Sequence, residues 1–261
     1  MLFEYDATTT RILEMPPYLF FIALGVLFSS VLFMLLSLKY GYNIPRYTKI
    51  FFLCGIGLFA GAKLFGFLTG LFIALANNEI ITLNTFMNTG IVFYGGLIGF
   101  LLTFLLLCKV WNKKIDYGAI DIAVVCIPLF HFWGRLGCFF SGCCYGVENY
   151  SVVSVLYTTH IKNEAVRLSR FPVQLVEAAV NLAIFAVLIS LLLNQKFKGR
   201  LVIAYLFIYP TMRIILENFR GDLARGVWNG ISFSQVVSLL ILISCALSIL
   251  RKTEDRKHEV Y

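Results

Sequence analysis

The chain has 261 residues, 59% of them hydrophobic and only 14% charged, with a formal net charge of +8. A mean hydropathy of +0.83 excludes both an ordinary soluble domain and a disordered chain, which need far more polar surface. The positive balance does not call for nucleic acid: basic residues flank apolar runs, as membrane insertion and anionic headgroups favour, and no aromatic-basic interleaving marks a nucleic-acid surface.

Apolar stretches long enough to cross a bilayer at about 1.5 Å per residue run at 17–38, 50–76, 90–111, 119–134, 172–194, 201–219 and 231–250. They predict an all-α polytopic membrane protein with seven transmembrane helices, a single domain over 1–261. The first helix opens on Pro17-Tyr18, and no basic n-region followed by an apolar h-region precedes it, so it is expected to serve as the insertion signal. Between the second and third helices, Asn77-Asn78-Glu79 through Asn84, Asn88 and Gly90 form a polar stretch, either an outward loop or a short re-entrant helix. The third helix carries Tyr94-Gly95-Gly96-Leu97-Ile98-Gly99, a small-residue patch that permits close approach of a helix or a lipid beside a phenol.

Chemistry concentrates after the fourth helix. Residues 131–146, His-Phe-Trp-Gly-Arg-Leu-Gly-Cys-Phe-Phe-Ser-Gly-Cys-Cys-Tyr-Gly, bring a histidine, an arginine and three cysteines into an oily chain, where ionisable groups mark a site by default. In Gly134-Arg135-Leu136-Gly137 a guanidinium sits where the fourth helix is expected to leave the membrane. Its planar fork suits a phosphate, and the glycines allow close approach. Residues 135–171 then form a long outward segment, a small extracytoplasmic head. The fifth helix opens with Pro172-Val173-Gln174-Leu175-Val176-Glu177, which puts Gln174 and Glu177 one turn apart as inward structural support. In the sixth, Tyr209, Arg213, Glu217 and Arg220 recur on one face, which cannot be turned to lipid.

Orientation follows from the cations. Lys39, Arg46 and Lys49 follow the first helix, Lys109, Lys113 and Lys114 the third, Lys196, Lys198 and Arg200 the fifth, and Arg251, Lys252, Arg256 and Lys257 the seventh. By the positive-inside rule those sides are cytoplasmic, so the N-terminus faces out and the C-terminus in. Cys54, Cys108, Cys126 and Cys245 stand singly in apolar helices as small hydrophobes. Cys138, Cys143 and Cys144 ask for a chemical reading. A disulfide stapling the loop is the expectation for an outward, oxidising side. A metal site with His131, a reactive thiol favoured by Arg135, or small-residue packing stand beside it.

In order and spacing these features resemble the prolipoprotein diacylglyceryl transferase family of bacterial inner membranes: Pro17-Tyr18, the Gly-Gly-Leu-Ile-Gly of the third helix, Gly134-Arg135-Leu136-Gly137, the Pro-x-Gln-Leu-x-Glu of the fifth and the Tyr-x-x-x-Arg-x-x-x-Glu-x-Phe-Arg of the sixth. The resemblance implies an enzyme that binds phosphatidylglycerol, transfers its diacylglyceryl group to the lipobox cysteine of a secreted preprotein and releases glycerol phosphate. It implies no cofactor or metal, a monomer, and a site towards the outer leaflet of the plasma membrane. By the same analogy Arg135 and Arg213 hold the phosphate, and Tyr18, Tyr209 and Glu217 shape the site, together with Gly95, Gly96, Gly134, Gly137 and Gln174. Two departures matter. Tyr94 stands where the family has a histidine, and Cys138, Ser141 and Cys143 stand where it has asparagine, asparagine and glutamate. Tyr94, Cys138 and Cys143 therefore join the candidate catalytic residues. Transfer to another extracytoplasmic acceptor such as a glycan, or lipid binding without turnover, are the alternatives.

Overall fold

A computed structural model describes residues 3–6, 11–76, 93–110, 117–161, 164–195, 199–221, 227–228 and 231–258. The polar stretch from Asn77 to Gly90 lies outside the described residues, as do Lys113, Lys114, Lys196 and Lys198. Seven helices are present among the described residues: α1 (Pro17–Lys39), α2 (Ile44–Ala76), α3 (Phe93–Val110), α4 (Tyr117–Phe140), α5 (Val173–Leu193), α6 (Leu201–Glu217) and α7 (Phe233–His258). Pro17–Lys39, Thr48–Leu71, Tyr117–Phe140 and Val173–Leu193 are long and apolar enough to cross a membrane, and Tyr94–Leu107 and Phe233–Leu247 are shorter apolar helices. The protein is a multi-pass helical membrane protein.

Its helices are not the whole of it. Strands β1 (Phe3–Asp6), β2 (Val155–Ile161) and β3 (Glu164–Arg170) form a sheet in that order, β1 parallel and β3 antiparallel to β2, and β4 (Val227–Trp228) pairs with β5 (Ile231–Ser232). The all-α expectation is corrected to this extent. The run Val155-Leu156-Tyr157-Thr158-Thr159 carries the β-branched and aromatic residues of a strand, and its side chains alternate: Val155 and Tyr157 are buried, Leu156 and Thr158 less so. The buried face packs with Phe139 at the end of α4, flanked by Phe140 and Tyr145.

Helix ends explain the second correction. The fourth helix does not stop at 134 but runs to Phe140, so Arg135, Gly137 and Cys138 are helical rather than beyond the exit. Gly137 is a packing glycine: a Cβ on it would lie 3.2 Å from the Phe21 side chain and 3.4 Å from the Tyr18 backbone. The real stop is Gly142, in the left-handed region at φ 62°. Gly142 N–H donates to Phe139 O and Cys143 N–H to Cys138 O, both at 3.1 Å, which is a Schellman cap. α1 ends the same way, at Gly41 (φ 73°), with Gly41 N–H on Leu38 O and Tyr42 N–H on Ser37 O. α6 is started by another helix: the buried Asp121 of α4 accepts from the N–H of Gly199 and, at 3.0 Å, from that of Leu201.

The chain forms two compact units, Met1–Leu35 with Tyr117–Tyr261, and Leu36–Asp116. In the second, α2 and α3 meet through two Gly-x-x-x-Gly pairs, Gly57/Gly61 and Gly95/Gly99. A Cβ on Gly61 would strike the Gly95 carbonyl, and one on Gly99 the Gly57 carbonyl. Backbones at that separation admit no side chain larger than hydrogen.

Candidate active site

In the first unit, α4, α5, α6 and α7 bring four charges into one chain of contacts. Glu177 is the pivot. Its Oε2 lies 2.7 Å from Arg135 Nε, and its Oε1 2.6 Å from Arg213 Nη1. Arg213 Nη2 reaches Glu217 Oε2 at 2.6 Å, and the Ser234 hydroxyl of α7 donates to that same oxygen at 2.8 Å. All four residues are under 10% exposed, so this is a buried ladder of two cations and two anions with no net charge. Burial makes it costly unless complete, because each unpaired ion would carry the full desolvation penalty.

The two arginines are not held alike. Arg213 is clamped at both Nη atoms by carboxylates. Arg135 touches Glu177 through Nε only, in a contact not aligned as a hydrogen bond, and its Nη groups donate to nothing among the described residues. That leaves a guanidinium fork with its strongest donors unspent. Beside it is a narrow cleft lined by His131, Arg135, Glu177, Val180, Asn181, Tyr209, Met212, Arg213 and Leu216. Tyr209 stacks on Tyr205 with ring centroids 5.4 Å apart and meets the His131 ring at 5.4 Å on its other side. Asn181 donates to the Glu177 carbonyl at 2.7 Å, one turn back along α5.

The sequence placed Arg135, Arg213, Tyr209 and Glu217 in this site, and the structure brings them together. Glu177, expected only as structural support with Gln174, is the residue that joins both arginines. The proline-led opening of α5 gave its position, and its one-turn spacing from Gln174 hid its partners. Gln174 is fully buried and serves the neighbouring loop instead, donating at 2.8 Å to the Cys143 carbonyl and at 3.4 Å to the Tyr157 hydroxyl. Tyr18 lies on α1 against Gly137. Gly134 has an open flank, with Ile22 the nearest group to an added Cβ at 3.7 Å. Tyr94, Gly95 and Gly96 belong to the second unit: Tyr94 is buried, and the close faces of Gly95 and Gly96 are taken by Phe65, Gly61, Leu58 and Ala62 of α2.

The cysteine loop corrects two expectations. Cys138, Cys143 and Cys144 are free, so the expected disulfide is not formed. Their three sulfurs converge to within 4.8 Å of one another, and His131 is not among them. Two turns of helix separate His131 from Cys138, and it faces the cleft with Tyr209. The Schellman cap folds Cys143 back over Cys138, and Cys144 takes a left-handed φ of 57°, an unfavourable conformation for a side-chain-bearing residue. The neighbouring thiols of Cys138 and Cys143, and after them the charges of Arg135 and Arg220, hold the Cys144 thiol far below the usual thiol range, while Cys138, Cys144 and burial push Cys143 up; the Cys143 thiol donates to the Cys138 carbonyl at 3.6 Å. The next residues are locked between α5 and α6: Gly146 N–H donates to Phe171 O, Val147 N–H to Phe219 O and Gly221 N–H to Tyr145 O.

A family model described as prolipoprotein diacylglyceryl transferase matches residues 7–251. The chain belongs to that family. Its relatives include phosphatidylglycerol–prolipoprotein diacylglyceryl transferase 2 of Clostridium perfringens, 29% identical over 246 residues that cover 94% of each chain. The phosphatidylglycerol–prolipoprotein diacylglyceryl transferase of Clostridium tetani is 30% identical over 85% of this chain and 87% of its own. That of Campylobacter curvus is 30% identical over 61% and 57%. The chain is therefore a membrane enzyme of the diacylglyceryl transferase class, and the charge ladder spans the segments by which it resembles that family.

Proposed function

We propose that the protein takes phosphatidylglycerol as donor and transfers its diacylglyceryl group to the cysteine thiol of a secreted prolipoprotein. The observation that carries this is the half-engaged Arg135 at the mouth of a neutral buried ladder. It presents a free fork to a phosphodiester, while Arg213, fixed by two carboxylates, supplies positive potential without moving. The acceptor sulfur forms a bond to the glyceryl carbon and gives up its thiol proton to water as the bond from that carbon to the phosphate oxygen breaks, and glycerol phosphate leaves with the electron pair. Negative charge grows on the phosphate oxygens, where Arg135 donates. Tyr18, Tyr209, Gly134 and Gly137 shape the lipid side, with Cys138 and Cys143 beside it.

In this reading all seven helices cross the plasma membrane, with the N-terminus out, the C-terminus in and the site towards the outer leaflet. The chain acts as one monomeric membrane domain over 1–261 with residues 135–171 as its outward head. Incubation of the purified protein with labelled phosphatidylglycerol and a lipobox peptide tests the proposal: modified peptide is expected. Donor consumed without modified peptide would point to another extracytoplasmic acceptor, and no consumption to a lipid-binding role.

A further inference from the structure

We propose that Cys138, Cys143 and Cys144 form a three-thiolate zinc site whose fourth position receives the sulfur of the acceptor cysteine. The geometry carries the first half. Zinc–sulfur bonds of about 2.3 Å in a tetrahedron put sulfurs roughly 3.8 Å apart, and the three sulfurs already lie within 4.8 Å of one another without being bonded. Less than 1 Å of closure, on the order of one rotamer adjustment, converts the cluster to a ligand set. The backbone is bent to bring it about: the Schellman cap returns Cys143 to Cys138, Cys144 is held left-handed, and Gln174 pins the Cys143 carbonyl.

Three sulfurs leave a tetrahedral ion one position short, the arrangement of catalytic rather than structural zinc. Cys138 is buried, whereas Cys143 and Cys144 are partly exposed, so the missing ligand comes from the outward side. Three thiolates on Zn²⁺ carry one net negative charge, and Arg135 and Arg220 lie close enough to Cys144 to offset it. Cys138 follows Arg135 by three residues on α4, so the triad starts one helical turn from an arginine that lines the cleft. The second half rests on the transfer proposed above. A thiol that binds zinc gives up its proton to solvent and stays as thiolate. Its sulfur then attacks the glyceryl carbon, the carbon–oxygen bond to phosphate breaks, and the product thioether, a weaker ligand than a thiolate, dissociates from the metal. No oxidant or reductant is needed.

The test uses the full chain without an affinity tag, purified in detergent. Metal analysis is expected to give one zinc per chain, and Cys138→Ser, Cys143→Ser and Cys144→Ser each to lose it. Cobalt loaded in its place is expected to show thiolate-to-metal charge transfer and tetrahedral absorption in the unmutated protein, which removes any dependence on how the variants fold. A lipobox peptide should shift that spectrum, and its Cys→Ser counterpart should not. Protein without metal whose three thiols all alkylate in the native state, or a disulfide within the triad, would overturn the site, and another ion at full occupancy would overturn zinc. Undiminished diacylglyceryl transfer by chelator-stripped protein would overturn the acceptor role while leaving the proposed function intact. Zinc held by three sulfurs in a protein that consumes no phosphatidylglycerol would do the reverse.

Discussion

Arg135 and Arg213 carry the same charge but stand in different positions, and their variants should separate. Arg135→Ala leaves Glu177 still paired with Arg213, so stability should change little while donor binding or turnover falls by the value of one charge-assisted hydrogen bond, about 1.5–3 kcal/mol, or roughly tenfold to a hundredfold. Arg213→Ala removes the cation that Glu177 and Glu217 share, leaving Arg135 as the one guanidinium of the ladder against two buried carboxylates, and should cost about 3–5 kcal/mol of stability as well as activity. Thermal unfolding in detergent beside the transfer assay checks the split, and equal destabilisation by both would contradict it. Lysine at 135 should restore only part of the activity, since a point charge cannot reproduce a planar fork. That Arg135, Arg213 and Glu217 turn inward was legible because charges inside apolar helices cannot face lipid. Glu177's part was not, because its two partners lie 42 and 36 residues away in sequence, a tertiary fact no local spacing encodes.

Elements fail or hold at their ends. Gly142→Ala should cost about 1–2 kcal/mol through its left-handed φ and loosen the turn that returns Cys143 to Cys138, read as faster alkylation of Cys143 in native protein. Asp121→Ala should leave the N–H groups of Gly199 and Leu201 unsatisfied, costing about 1–3 kcal/mol, with hydrogen exchange rising first at the start of α6. If exchange rose evenly along the helix instead, the capping role would be wrong. Helix existence was readable from the long apolar runs, since the bilayer sets their length. Helix ends were not, because hydropathy reports hydrocarbon depth while the chain stops a helix with local geometry. Gly137, expected to allow close approach, does pack closely on α1, whereas the stop at Gly142 falls inside 135–171, which hydropathy assigned to the outward segment as a whole. α7 likewise continues past 250 through Arg251–His258, polar residues that hold a helix without being apolar. The head's strands were present as β-branched residues, but their pairing with Phe3–Asp6 spans about half the chain.

For the whole molecule, fusing a reporter that is active only in the cytoplasm to the C-terminus should give signal, and the same reporter inserted within residues 162–163 should give none; the opposite pattern would invert the orientation. The buried ladder also has a consequence for how such a protein enters a membrane. α6 carries Arg213 and Glu217 one turn apart and bound to each other, so it can partition as a neutral rod. α4 and α5 differ: Arg135 and Glu177 have no partner of opposite charge one turn away on their own helices, and each costs up to about 2.5–3.5 kcal/mol on insertion scales until they meet. Entering the bilayer together as a hairpin, with β2 and β3 between them, α4 and α5 would bring these two charges in already paired.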